Sequence, residues 1–188
     1  MLRADQFISK QNLLDWSNTL GIEFKTRSVK KGDSLLKQSQ RCDHFYFVLD
    51  GFLRLYYLDL DGNEVTHWFS SKHTLVTSPL SFFRAEPNII TFEALEDTEC
   101  WLITMDQLHL ISDQIEGADR AIQNLYVEFV IKMSRRIMSI HNETAEYRYL
   151  KLIEEYPQIF QKAKLGHISS YLGITIQSLS RIRKRLVD

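Results

Sequence analysis

Thiol chemistry has little to work with in this chain: its 188 residues hold two cysteines, Cys42 and Cys100, far apart and outside any CxxC spacing. A thiolate-built metal or iron–sulfur site is disfavoured, and both cysteines read as small buried hydrophobes. Histidine adds nothing in that direction. The six histidines, at positions 44, 67, 73, 109, 141 and 167, form no HxxxH or HExxH spacing, so no metal site is expected. His67 and His73 read as unrelated residues at a strand end. A Gly-rich phosphate loop and a GxSxG elbow are missing too; no catalytic residue is assigned, and an enzyme is the least favoured class. No apolar run reaches the length of a membrane span, and Met1 to Lys10 carries Arg3, Asp5 and Lys10 in place of an apolar signal region. The reading is a soluble cytoplasmic protein with no membrane partner. Net charge is nearly absent: 23 Lys+Arg oppose 24 Asp+Glu, giving −1, so nothing global marks a nucleic-acid binder.

What the chain has is an uneven distribution of that charge. Residues 145–188 hold eight basic residues (Arg148, Lys151, Lys162, Lys164, Arg181, Arg183, Lys184, Arg185) against four acidic ones, a local +4 that leaves −5 elsewhere. The electrostatic footprint therefore sits at one end. Within it, Lys164 to Leu186 reads as two short helices hinged at Gly173, a helix-turn-helix. Small Ser169 permits close helix approach, Gly173 takes the turn and Leu179 anchors the second helix. Thr175 is placed as an N-cap; Leu179, Ile182 and Leu186 recur at spacings of three and four, leaving Gln177, Ser178, Arg181, Lys184 and Arg185 exposed. Such a helix fits a DNA major groove. A solvated amphipathic helix is the plainer alternative.

Upstream, Asp5 to Leu20 reads as a helix with Phe7, Leu13, Leu14 and Trp16 available for packing. The period then changes to two. Phe24–Val29, Ser34–Lys37, His44–Leu49, Phe52–Leu58, Glu64–Phe69, Ile89–Ala94 and Glu99–Ile103 are short runs rich in aromatic and β-branched residues, separated by turn signals such as Lys31-Gly32-Asp33, Asp50-Gly51 and Asp61-Gly62. Seven such strands predict a β-roll or barrel. Beyond Thr104 the period becomes helical. Ile115, Ala118, Ile122, Leu125, Phe129, Met133, Ile137 and Ile140 make an apolar stripe on a helix from about Gly117 to His141. About 25 helical residues extend about 37 Å, longer than a small domain needs for its own core. Packing on its own barrel is one reading of the stripe; a dimerisation seam through Ile122, Leu125, Phe129, Met133 and Ile137 is the favoured one. His141-Asn142-Glu143 follows as a hinge, and a helix from Ala145 to Tyr156 ends before Pro157.

This order of parts resembles the Crp/Fnr family of bacterial transcription regulators over essentially the full length. The likeness is carried by Val29-Lys30-Lys31-Gly32-Asp33, by Phe45 to Leu55 in the central strands, by Asp61-Gly62-Asn63-Glu64 at the hairpin and by the helix-turn-helix. It implies an α+β fold: a jelly-roll-like β-roll sensory domain over 1–116, a dimerisation helix and hinge over 117–143, and a winged-helix-like DNA-binding domain, its wing truncated, over 144–188. It also implies a homodimer reading a palindromic duplex operator as two half-sites about one helical turn apart, with RNA polymerase as a further partner. Aligned on the family, Ile176, Gln177 and Arg181 fall at base-reading positions, with Thr175 and Ser178 beside phosphates and Lys184 and Arg185 on the basic face. A cyclic-nucleotide-domain-like ligand-binding or scaffold module contacting protein is the alternative. The clustered cations favour DNA, since protein interface cores are depleted of Lys.

The effector pocket departs from the family. Cyclic-AMP-binding members hold the phosphate with a Gly-Glu pair and an Arg followed by Ser or Thr. Registration on Thr91-Phe92-Glu93-Ala94 puts Thr77-Ser78 and Asn88-Ile89 there instead. A buried phosphate needs a cation to offset desolvation, and Arg84 reads as a solvated turn residue. Cyclic AMP is thus not expected as effector and no cofactor is required. The candidate pocket of Thr77, Ser78, Phe82, Arg84, Asn88 and Ile89 is apolar with a few hydroxyls, suited to another small molecule or to its own side chains.

Overall fold

A capping box starts the first helix: Ser9 Oγ accepts the Asn12 N–H at 3.0 Å while the Asn12 carboxamide accepts the Ser9 N–H at 2.9 Å. Helix α1 therefore spans Lys10–Leu20, starting later than the sequence suggests. The computed structural model describes residues 8–187, so Asp5 to Phe7 of the expected helix lie outside the described residues. Eight strands follow: β1 (Lys25–Val29), β2 (Ser34–Leu36), β3 (Phe45–Asp50), β4 (Phe52–Leu58), β5 (Glu64–Ser71), β6 (Leu75–Val76), β7 (Thr91–Ala94) and β8 (Thr98–Ile103). They form two antiparallel sheets, in the orders β1-β8-β3-β6 and β2-β7-β4-β5. Alternating side chains of both fill the space between, among them Leu35, Tyr46, Val48, Leu53, Phe92 and the fully buried Cys42 and Cys100. The β3–β4 turn needs glycine twice over. Gly51 has φ +111°, and a Cβ there would lie 2.3 Å from Thr98 Oγ1 and 2.6 Å from Thr98 Cα.

Helices enclose the roll. Helix α2 (Pro79–Arg84) bridges β6 and β7. Thr104 and Gln107 form a second capping box that opens α3 (Met105–Gln114). Gly117, at φ +77°, separates it from the long α4 (Ala118–Asn142), so Ile115 closes α3 and does not belong to the stripe. Thr144 caps α5 (Ala145–Glu155); the short α6 (Ile159–Lys162), α7 (Leu165–Leu172) and α8 (Ile176–Val187) complete the chain. The fold is thus α+β, a β-roll followed by a long helix and a helix-turn-helix. Strand β6 and helices α2, α3 and α6 escaped the sequence reading, because segments of two to ten residues without a long period leave too little pattern to register.

The helix-turn-helix leans on the roll. A core of Tyr149, Leu152, Tyr156, Ile159, Ile168, Leu172, Leu179 and Ile182 extends into Phe52, Phe69 and Leu95 of the roll. At its margin the Ser170 hydroxyl accepts the Thr66 backbone N–H at 2.9 Å, and the Tyr156 hydroxyl donates to the Phe69 carbonyl at 2.8 Å. Strand β5 is a sheet edge, so these side chains satisfy backbone groups that would otherwise stand unpaired. Arg54, 2% exposed, holds the adjoining strands together: its Nε donates to Glu93 at 2.7 Å, its Nη2 pairs with Glu64, and its guanidinium stacks on Tyr56.

Candidate nucleic-acid interface and cavity

The turn between α7 and α8 is built by Gly173, whose left-handed φ of +67° a Cβ-bearing residue rarely adopts. Thr175 Oγ1 then accepts the Ser178 N–H at 3.1 Å, the N-cap expected of it. Leu179 and Ile182 turn inward at 0% and 7% exposure. The rest of the helix surface is open: Thr175, Ile176, Gln177, Arg181, Arg183, Lys184 and Arg185 are exposed, with Ser178 half-buried, and Leu186, expected on the inward stripe, is exposed near the helix end. The cations on that face differ in their ties. Arg181 donates to Ser178 Oγ at 3.1 Å, which draws its guanidinium toward the helix N-terminus. Arg183 stacks 4.5 Å above the Phe160 ring, and Arg185 pairs with Glu146 of α5, both held to their own domain. Helix α7 carries a half-buried imidazole: desolvation first, then Arg54 and Lys164, lowers His167 to about 4, and its enclosed Nδ1 has no hydrogen-bond partner. His167 is therefore neutral at physiological pH.

Helix α4 serves two surroundings. Its first turns belong to the roll: Ala118 and Ile122 are buried in the core formed with Phe45, Phe47, Ile103 and Ile111, and Leu125 packs against it. Ile122 and Leu125, expected in a seam between copies, thus pack against their own roll. Phe129, Val130, Ile137, Met138 and Ile140 are 48–64% exposed in the single chain, and Met133 is half-buried. An apolar face of that extent on one helix is a feature of interaction surfaces. No helix among the described residues is long and apolar enough to cross a membrane.

Between this helix and the roll lies a cavity of about 390 Å³, walled by β3 to β6, α2 and residues 125–133 of α4. Of the six expected pocket residues only Thr77 lines it, and its hydroxyl already donates to the His44 carbonyl at 3.0 Å. Ser78 is buried before α2, and Phe82 packs edge-on to Phe45 in the core below while its neighbour Phe83 faces the cavity. Arg84 is an exposed residue closing α2. Asn88 is a structural residue: its Nδ2 donates to the Lys37 and Ile90 carbonyls at 2.8 and 2.6 Å, and its Oδ1 accepts the Ile90 N–H at 3.0 Å. Ile89 points outward at 50% exposure while Ile90 faces in. The sequence reading missed the polar walls, His67, Ser70, Glu128 and Lys132. Charged residues one turn apart on α4, Glu128 and Lys132, were the available signal. Burial lowers Lys132 and His67 from their ordinary values; the carboxylates of Glu155 and Glu128 pull Lys132 back up, while Arg136 lowers His67 further.

Comparison with known proteins bears on both surfaces. Residues 26–114 match the family described as the cyclic nucleotide-binding domain. The chain is 23% identical over 185 residues to the transcriptional activator protein Anr of Pseudomonas protegens, covering 93% of this chain and 75% of that one. Among solved structures, FixK2 of Bradyrhizobium japonicum is similar with a TM-score of 0.73 at 18% identity, over 88% of this chain and 85% of that one. A regulator of the Crp/Fnr family from Eubacterium rectale aligns with a TM-score of 0.69 at 21% identity, over 96% and 87%.

Proposed function

We infer that this chain, a member of the Crp/Fnr family of transcription regulators, binds duplex DNA through α8 and does so as a homodimer joined along α4. The observation that carries the reading is the two-sided character of α8. Leu179 and Ile182 anchor it in the core while Gln177, Arg181 and Lys184 stand exposed on a segment of net charge +4. Arg181 has the fork geometry for guanine O6 and N7, Gln177 that for adenine N6 and N7, and Ile176 offers only an apolar contact to a thymine methyl. Thr175, Ser178 and Lys184 fit phosphates. Arg185, tied to Glu146, contributes field more than contact. The bare face from Phe129 to Ile140 suits a second copy, whose matching helix would cover it.

In this reading the roll is the sensory part and works in the cytoplasm with its operator. Cyclic AMP is a poor effector for it. Neither Asn88 nor Ile89 supplies a cation, and the cavity's ammonium, Lys132, already has the carboxylates of Glu155 and Glu128 acting on it. Retention on immobilised duplex DNA as a function of salt tests the function. Binding should weaken steeply and log-linearly as salt rises, with a slope of about −0.9 for each phosphate neutralised. Salt-independent retention, or none at low salt, would contradict it.

A further inference from the structure

Helix α4 ends at Asn142 and α5 begins at Ala145, so Glu143 and Thr144 alone join the long helix to the helix-turn-helix. The core shared with the roll holds the two parts together, but burial of apolar surface is non-directional. Direction has to come from hydrogen bonds. Arg148, half-buried on α5, spans the joint. Its Nη1 donates back to the Glu143 carbonyl at 2.5 Å and the Ser139 carbonyl at 3.4 Å, at the end of α4. Its Nε and Nη2 donate to the Leu172 carbonyl at 3.2 and 2.9 Å, at the end of α7. Arg136, half-buried on α4, donates to the neighbouring carbonyl, that of Tyr171, and its guanidinium stacks 3.8 Å from the centre of the Tyr171 ring.

The last carbonyls of a helix have no partner inside it and form the negative end of its dipole. Those of α7 receive two guanidiniums, one from each side of the joint. Arg148 is close enough to disfavour the charge on Arg136, a repulsion that the carboxylate of Glu155 counters. The planar fork of Arg148 meets carbonyls at two helix ends at once, which the compact ammonium of a lysine cannot do. Helix α8 follows α7, since Leu172 and Leu179 share one core. We propose that Arg148, with Arg136 beside it, is a positioning residue for DNA reading: by tying the end of α7 to the end of α4 it fixes the angle at which the helix-turn-helix leaves α4, and hence the separation of the two α8 helices in a dimer. Neither residue belongs to α8. With half-sites one helical turn apart, an error of one base pair moves a half-site by about 3.4 Å and turns it by about 35°, so the angle at the joint decides which spacing is accepted. The proposal rests on the reading of the chain as a dimer that binds DNA through α8.

Two measurements on the full chain test it, one of them without DNA. In hydrogen exchange, Arg148→Gln should speed exchange of the Glu143 amide, which donates to the Ser139 carbonyl that Arg148 also holds, by at least about tenfold, as expected for losing hydrogen bonds from a charged group. Amides of β3 and β8 should exchange as before. In selection from random duplexes sorted by half-site spacing, the unaltered chain should favour one spacing over those a base pair shorter or longer by about tenfold, the cost of one misread base pair, and Arg148→Gln should reduce that preference to below about threefold. The half-site sequence and the salt slope should stay as they were. Arg148→Lys should relax the spacing like Arg148→Gln, and Arg136→Lys, which leaves Arg148 in place, should relax it in the same direction. A spacing preference kept by either Arg148 variant overturns the positioning role. So does a salt slope lower by about one unit in Arg148→Gln, or a changed half-site sequence, since either would make Arg148 a DNA contact. Unchanged exchange at Glu143 overturns the tie across the joint. If the unaltered chain enriches no sequence, the DNA reading fails and the positioning role with it, while the exchange measurement still decides whether Arg148 holds the joint.

Discussion

Ser170, in the first helix of the helix-turn-helix, accepts the backbone N–H of Thr66 on edge strand β5 at 2.9 Å, and its hydroxyl donates to the Glu64 carbonyl at 3.2 Å. A side chain of the helix-turn-helix thereby completes the ladder of the roll's edge strand. Ser170→Ala should cost about 1 kcal/mol in chemical denaturation, the net value of such a bond, and should speed hydrogen exchange at the Thr66 amide selectively. Unchanged exchange at Thr66 would show that the contact does not persist in solution.

The face of α4 beyond its first turns bears on assembly. Val130 and Ile137 are 64% and 60% exposed in the single chain, so charges placed there cost the monomer little. Val130→Glu with Ile137→Glu should leave the chain folded by circular dichroism and monomeric by analytical ultracentrifugation, because unpaired charges would be buried in the seam. A dimer that survives both substitutions places the interface elsewhere.

His167 makes stability depend on pH in a defined window. Burial, with Arg54 and Lys164 nearby, holds its folded-state value at about 4, against the ordinary 6.5 of a histidine in water. Between these values the unfolded chain binds a proton that the folded chain refuses, so stability rises with pH across that window and is lost on acidification through it. His167→Gln should flatten the dependence of the urea midpoint on pH between about 4 and 6.5; burial of His67 and His44, also lowered, leaves a residual slope. An identical pH profile in the variant would contradict the assignment.

The helix-turn-helix was legible because each of its parts has a local cause: a left-handed Gly173, a capping Thr175 and an inward Leu179 within seven residues. Strand positions were legible for the same reason, alternation and turn residues being short-range signals. The cavity was not, since its wall draws on β3, β5, α2 and α4, which sequence proximity does not connect. Asn88 illustrates the limit. Alignment put it where a ligand-binding residue would stand, whereas three hydrogen bonds tie its side chain to the backbone of Lys37 and Ile90. Ile122 and Ile137 share one helical period, yet Ile122 is buried against the roll and Ile137 is exposed, because a period reports that a face is apolar and not what covers it.

Lys184 and Arg181 separate affinity from specificity. Lys184→Ala should weaken binding to all duplexes alike and reduce the salt slope by about one unit, whereas Arg181→Ala should cost about 1–3 kcal/mol on the preferred site only. Titrating both variants against specific and scrambled duplexes by fluorescence anisotropy checks this. Equal losses on both duplexes for Arg181→Ala would make it a phosphate contact.

Selection from random duplexes, run side by side with the unaltered chain and Arg181→Ala, tests the central claim most directly. The unaltered chain should enrich a two-fold symmetric site whose half-sites lie about 34–36 Å apart, one helical turn, and Arg181→Ala should lose discrimination at one symmetry-related base pair in each half. Failure to enrich any sequence, or an identical motif from both proteins, would contradict a DNA-reading role for this face of α8.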